Sequence, residues 1–215
     1  MHGEALDWII LNTVKDGSKH HTGRFHGGEE IYRYIPYEFK DLDYQPIYPR
    51  VFEVGSYNVN GSMKEYNFLG RESRWIDICG VQEYLGLDLI AGPCVDIIGN
   101  SHDIPQDDDQ FDLVFCLNML EHDNNPIQTL KECFRILKLE GTFILSVPDL
   151  HGAEHGTNEH MPDLAGGGSN HYNFFTGEMI IDLVKESGLI IKHFQIDNGY
   201  IFCNATKERN LNVIS

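Results

Sequence analysis

Val51-Phe52-Glu53-Val54-Gly55-Ser56-Tyr57-Asn58-Val59-Asn60-Gly61 runs a short apolar segment straight into a glycine-bounded turn. Apolar residues on both sides of Glu53 suit a strand covered on both faces, and Gly55 punctuates a strand-to-helix connection. In a doubly wound sheet that connection faces the crevice where ligands bind. A pyrophosphate there calls for G-x-G-x-x-G, so that backbone N–H groups and a helix N-terminus meet the charge. Five residues separate Gly55 from Gly61, and no G-x-x-x-x-G-K-[ST] occurs anywhere in the chain. An acid before the turn suits a ligand that offers an ammonium group. Taken alone, the segment reads equally well as an ordinary glycine turn.

Downstream, the apolar runs recur. Tyr84–Asp88, Val95–Ile98, Phe111–Leu117 and Thr142–Val147 read as four more strands. Asn125-Pro126 opens a helix with a capping Asn and a first-turn Pro; Ile127, Leu130, Phe134 and Leu137 follow helical spacing, with Gly141 beyond its end. Thr176 caps a second helix over Glu178–Ser187, striped by Met179, Ile180, Leu183 and Val184 and stopped by Gly188. Leu189–Ile196 and Tyr200–Ala205 are strand patterns joined by Asp197-Asn198-Gly199, and Asn-Gly is the strongest short hairpin signal because both residues accept positive φ. The expectation is an α/β fold: a doubly wound, mainly parallel sheet that ends on one antiparallel strand.

Composition bounds the rest. At 215 residues the chain suits one α/β domain with a small extension. Thirty-three acids oppose 16 bases, for a net charge of −17. A polyanion would be repelled by most of such a surface, and no run of Lys and Arg advertises a basic groove, so nucleic acid is an unlikely partner. The odd, scattered cysteines (Cys79, Cys94, Cys116, Cys133, Cys203) lack a C-x-x-C pair and read as free thiols of a reducing compartment. Acids stand near Met1 where a secretory signal carries bases, and no apolar run approaches the ~20 residues that span a bilayer. A soluble, cytoplasmic protein is expected. Residues 1–49 read as an N-terminal cap, with a short helix at Glu4–Val14 and an aromatic, Pro-broken stretch from Tyr32 to Tyr48. Residues 50–215 read as the main domain.

The motifs fall in a specific order: Glu53-Val54-Gly55, Gly61, Asp88, Asn100 with Asp103-Ile104-Pro105, Phe111-Asp112-Leu113-Val114, Leu120-Glu121-His122, Leu137 to Gly141, and Ser146-Val147-Pro148. With them the chain, from about Arg50 to Ala205, resembles the class I S-adenosylmethionine-dependent methyltransferases. The resemblance implies a Rossmann-like sheet of seven strands, the last antiparallel, and S-adenosyl-L-methionine as cofactor. It implies that Glu53 and Gly55 hold the methionine part, with Gly61 starting the following helix. Asp88 would bind the ribose hydroxyls, Leu89 would pack beside the adenine, Asn100 and Ser101 would read the adenine, and Asn118 would sit beside the methionine. Three departures stand out: Asn100 where Asp is frequent, Gly141-Thr142 for a usual Gly-Gly, and 35 positions from Glu53 to Asp88 where ~20 is typical, which points to an insertion near 70–82.

The methyl acceptor expected is a small molecule, methylated on oxygen, nitrogen or carbon. A base is needed only for a hydroxyl or a protonated amine. His171, in Asn170-His171-Tyr172-Asn173-Phe174-Phe175-Thr176, is the first candidate for a base or substrate contact and His151 the second; against each stands an ordinary surface-loop histidine. His151, His155 and His160, with Glu154 and Glu159, have spacings that permit a metal. The lack of a helical H-E-x-x-H and the nearby Gly152, Gly156 and Gly166–Gly168 favour a lid, and no metal is expected. His20, His21 and His26 raise the same question with less support, and His122 reads as pocket wall. In the family an N-terminal extension commonly closes over the substrate, which gives Tyr32, Tyr34, Tyr37 and Phe39 a place at the acceptor. Two other classes stay open: a nicotinamide-dependent oxidoreductase, disfavoured by the missing glycine fingerprint, and a non-catalytic ligand-binding or assembly protein on the same fold.

Overall fold

A computed structural model of the chain describes residues 48–57, 62–65, 74–150 and 173–209. Among them the strands are β1 (Arg50–Val54), β2 (Glu83–Asp88), β3 (Ile97–Ile98), β4 (Phe111–Leu117), β5 (Leu137–Pro148), β6 (Ile190–Asp197) and β7 (Tyr200–Thr206). The helices are α1 (Trp75–Ile78), α2 (Pro126–Ile136) and α3 (Gly177–Glu186), with a 3₁₀ turn at Leu120–His122. The strands form one sheet in the order β3-β2-β1-β4-β5-β7-β6. β1 to β5 are parallel, and β7 runs antiparallel to both β5 and β6. The expected doubly wound sheet with an antiparallel strand at its end is therefore present. Asn198 and Gly199 turn the hairpin with φ of 47° and 78°, the positive pair that lets a two-residue turn follow the strand twist.

Strand alternation sorts the core onto two faces. Phe52, Val54, Val114, Cys116, Leu145 and Cys203 pack with α2 and α3. Val51, Leu113, Phe115, Ile144 and Phe202 face the other way, onto Tyr48, Met63, Trp75 and Cys79. Phe52 meets Phe111 at 4.8 Å between ring centroids, and Trp75 meets Phe115 at 5.5 Å. The cysteines are all free thiols, buried except for the half-buried Cys94.

Several local expectations are corrected. Asn125 is the N-cap of α2, but its side chain accepts no capping bond; Asp123 Oδ1 takes the Asn125 N–H instead, at 2.9 Å. The buried stripe of α2 is Thr129, Leu130, Cys133 and Ile136, rotated from the expected one, and Phe134 is only partly buried. Met179 of α3 is 46% exposed, although Thr176 caps that helix by accepting from Met179 N at 3.3 Å. β3 is two residues long rather than four.

The largest difference is at Gly141. α2 passes directly into β5 at Leu137, and Gly141 lies inside the strand rather than at a helix end. Leu137 pairs with Phe111 but Thr142 pairs with Leu113, so three extra β5 residues are absorbed in a bulge where Glu140 has φ 62°. A Cβ on Gly141 would lie 2.8 Å from the Lys138 carbonyl oxygen, which is why glycine stands there.

An internal clamp ties the β3–β4 connection to α2. Arg135 donates to the Ile104 carbonyl (2.8 Å), the Gln106 carbonyl (2.6 Å) and both Glu132 oxygens, while Glu132 Oε2 accepts the Ile104 N–H at 2.9 Å. The expected Glu4–Val14 helix and the 1–49 cap up to residue 47 lie outside the described residues. Among those described, no helix is long and apolar enough to cross a membrane.

Candidate functional site

The carboxyl ends of the parallel strands β1, β2, β3 and β4 lie at one edge, and the strand order reverses between β1 and β4. Gly55 follows β1 with φ 75°, and its N–H and that of Ser56 both donate to the Leu87 carbonyl, at 2.9 and 3.1 Å. A Cβ on Gly55 would lie 2.5 Å from Met119 Cγ, so glycine is required both for the turn and for the closeness of the β4 exit. Tyr57 N donates to Asp88 Oδ2 at 3.1 Å, closing the turn onto the end of β2.

Asp88 is partly buried; burial raises its pKa, and the N–H groups of Tyr57, Ile90 and Leu89 pull it back down. Its register partner is Ile98, the last residue of β3. Ile98 is 64% exposed and Leu89 is 54% exposed, unusual for such side chains at strand ends. A carboxylate flanked by two uncovered aliphatic side chains matches a ligand that joins hydroxyls to a flat apolar ring.

Asn100 lies just beyond, its Oδ1 accepting the His102 N–H at 2.9 Å and its amide nitrogen turned away from that bond. Ser101 Oγ is 2.8 Å from Thr129 Oγ1, which donates to Asp123 Oδ2 at 2.5 Å. A hydroxyl has one proton, so Ser101 donates and Thr129 accepts. Asp123, buried, also takes His102 Nε2 at 2.6 Å. No motif announces this His102–Asp123 link, since the two residues stand 21 positions apart.

Glu53 is 3% exposed, and its Oε2 accepts from Ser62 Oγ (2.9 Å) and Tyr84 OH (2.7 Å). Burial lifts its carboxyl to about 7, against the pull of those two hydroxyls. Both bonds fall on the same oxygen, and Oε1 takes none from the described residues. At the end of β4, Asn118 adopts φ 51°, donates its N–H to the Ser146 carbonyl at 2.8 Å and accepts from Ser146 Oγ at 3.1 Å.

Three residues on, Glu121 is fully buried, and neither carboxyl oxygen has a partner among the described residues. Burial pushes it up to about 8, its own backbone N–H pulling slightly the other way. Asn173 holds the turn from outside: its N–H donates to the Glu121 carbonyl (3.1 Å) and its amide to the carbonyls of Leu120 (2.9 Å) and Asp123 (2.5 Å).

Of the expected site residues, Glu53, Gly55, Asp88, Leu89, Asn100, Ser101 and Asn118 stand on the strand ends and connections of this edge. Gly61, His151 and His171 lie outside the described residues, as do His155, His160, His20, His21 and His26. Among those described, no three His, Cys, Asp or Glu side chains are arranged to hold a metal. Two hollows flank these groups: one is bounded by Asp103, Gln106 and Arg135, and the other by Lys64, Arg74 and Asp96 with Tyr84, the partner of Glu53.

Comparison with known proteins follows the same lines. Residues 63–193 match the family model of a methyltransferase domain. No curated protein matches the chain. Among solved structures, a chain of the Haloferax volcanii complex between the Trm112 methyltransferase activator and a methyltransferase has a TM-score of 0.53 at 19% identity, covering 75% of this chain and 83% of that one. The 4+2 cyclase SpnF has 0.51 at 13%, covering 74% and 75%. The Burkholderia thailandensis 1,6-didemethyltoxoflavin-N1-methyltransferase, with bound 1,6-didemethyltoxoflavin and S-adenosylhomocysteine, has 0.50 at 14%, covering 74% and 71%. At such identities the likeness is one of fold. The family match spans more than half of the sequence, and the chain belongs to the class I S-adenosylmethionine-dependent methyltransferases.

Proposed function

We propose that this protein binds S-adenosyl-L-methionine at the carboxyl edge of β1–β4 and transfers its methyl group to an oxygen, nitrogen or carbon of a small-molecule acceptor. The observation that carries the reading is Asp88 beside the uncovered Leu89 and Ile98, next to the Gly55 turn. A strand-end carboxylate accepts two ribose hydroxyls, and the two aliphatic side chains cover an adenine ring. Asn100 and Ser101 fit the adenine edge, and Glu53 Oε1, Gly55 and Asn118 fit the methionine end. Gly61 is proposed as a further residue of the cofactor site.

When bound, the cofactor supplies a methyl group already activated by the positive sulfur. The residues here have mainly to fix distance and angle and to exclude water. Asp88 is held by Tyr57 N–H, Asn118 by Ser146, and Ser101 by Thr129, so the residues at each end of the site are oriented before a ligand arrives. His171 and His151 are proposed as acceptor-side contacts, residues 1–49 as a cap over the acceptor, and 50–215 as the cofactor-binding domain. The acid excess argues against nucleic-acid acceptors, and the small-molecule substrate of the Burkholderia enzyme offers a precedent on this fold.

The test is calorimetric titration with S-adenosylmethionine, S-adenosylhomocysteine and NAD, with and without chelator. Micromolar binding of the two adenosyl-sulfur ligands alone, unchanged by chelator, is expected. Binding of NAD alone, or of nothing, refutes the reading.

A further inference from the structure

Among the described residues, the buried acids are paired, with one exception. Glu53 has two hydroxyls, Asp123 has His102, Thr129 and the Asn125 N–H, and Glu132 has Arg135 and the Ile104 N–H. Glu121 is fully buried with no donor from another described residue. An unpaired buried carboxyl is costly, and such groups gather where a ligand completes them. Asn173 spends three hydrogen bonds on the backbone of the turn that carries Glu121 and none on its carboxyl. The turn is held while the buried carboxyl is left unpaired, three residues past Asn118 on the site's edge.

We propose that Glu121 is a ligand-facing residue that sets the preference of the site for the positively charged sulfonium of S-adenosylmethionine over the neutral thioether of S-adenosylhomocysteine. The inference rests on the cofactor reading above and deepens it. A carboxyl that stays neutral in the free protein, titrating at about 8, is driven to ionise by a cation placed beside it. The two ligands share adenosine, ammonium and carboxylate groups and differ only at sulfur, so their comparison isolates this effect.

Two of the groups near Glu121 leave the window clear. Tyr200 of β7 feels Glu121 and is raised from 10, mainly by burial, and Cys116 of β4 is raised well above 9 for the same reason; both stay neutral below pH 8. The segment from 173 to 175 brings Asn173, Phe174 and Phe175, none of them titratable. On its own turn stand His122 and Asp123, the latter bound to His102. Glu53 on β1 titrates at about 7, and it and these imidazoles are the groups that must be separated: a rise due to any of them would persist in Glu121→Gln.

The experiment measures the affinity ratio of S-adenosylmethionine to S-adenosylhomocysteine from pH 6 to pH 8. In the wild type the ratio should rise about tenfold between pH 6 and pH 7, because one ligand expels a proton and the other does not. Glu121→Gln should hold the ratio constant within about twofold, while Glu53→Gln should keep the rise. In buffers of different ionisation enthalpy at pH 7, wild-type protein should release about 0.9 proton more with S-adenosylmethionine than with S-adenosylhomocysteine, a measurement that needs no variant. A wild-type ratio independent of pH, equal proton counts, or a rise abolished by Glu53→Gln but kept by Glu121→Gln overturns the role of Glu121 and leaves the cofactor reading intact. Failure of both ligands to bind overturns the cofactor reading and this inference together.

Discussion

Glu121→Gln should change the dependence of stability on pH in the ligand-free protein. The glutamate carboxyl loses its proton near 4.5 when the chain is unfolded, but only at about 8 when folded, because burial disfavours the charge. Between those values the folded state holds the extra proton, so the stability this group lends below pH 4.5 is lost as pH rises, at about 1.4 kcal/mol per pH unit. From pH 5 to pH 7 the wild type should therefore lose about 2.7 kcal/mol that the glutamine variant does not lose, roughly 5–10 °C in melting temperature for a chain of this size. Glu53 has the same sign, its folded value of about 7 also lying above 4.5, but it is common to both proteins and cancels in the difference. Urea unfolding of both proteins at pH 5, 6 and 7 measures the effect. Parallel pH slopes would show that Glu121 is not a strained, neutral acid in the folded protein, and the reasoning would fail.

Other perturbations have separate expectations. Asp88→Ala should weaken S-adenosylhomocysteine binding by two orders of magnitude or more, the worth of about 3 kcal/mol from two charge-assisted hydrogen bonds, read by calorimetry; normal binding would move the ribose site elsewhere. Leu89→Ser should weaken the same ligand by roughly three- to tenfold while leaving the urea midpoint unchanged, because the side chain is 54% exposed before any ligand covers it. Asp123→Ala strands three donors and should cost about 2–3 kcal/mol of stability by urea unfolding. Gly199→Val, at φ 78°, should cost about 1–2 kcal/mol in the same assay, and an unchanged midpoint would mean the hairpin tolerates another turn.

Strands and the hairpin were legible because their signals are local. β4 is a near-continuous apolar run of seven residues, buried except at Asp112, between polar flanks, and Asn198-Gly199 states its own turn. The junction of α2 and β5 was not legible. Leu137-Lys138-Leu139-Glu140 has the composition of a helix end and Gly141 looks like its stop, yet pairing of Leu137 with Phe111 makes the segment a strand. Tertiary pairing outweighed local propensity there. Asn125 likewise stands at the N-cap as its type suggests, but its side chain makes no capping bond, and its own N–H is held by Asp123 Oδ1.

For the site, the ordered motifs marked Asp88, Leu89 and Asn118 because strand ends fix their position. They did not mark His102 or Asp123, joined only by folding, and they left Glu121 inside a motif with no hint that its carboxyl is buried without a partner. Burial of a charged residue is not written in its neighbours along the chain.

The absence of any loop between α2 and β5 has a mechanical consequence. Through Arg135, α2 grips the connection that carries Asn100 and Ser101, and at Leu137 the same helix becomes the strand that fixes Asn118 through Ser146. The connection after β3 and the exit of β4 are thus tied to one continuous segment, helix and then strand, with the bulge before Thr142 between the two attachments. For the cofactor placement proposed above, the distance between its adenine and methyl ends would be set by that segment rather than by a loop of adjustable length.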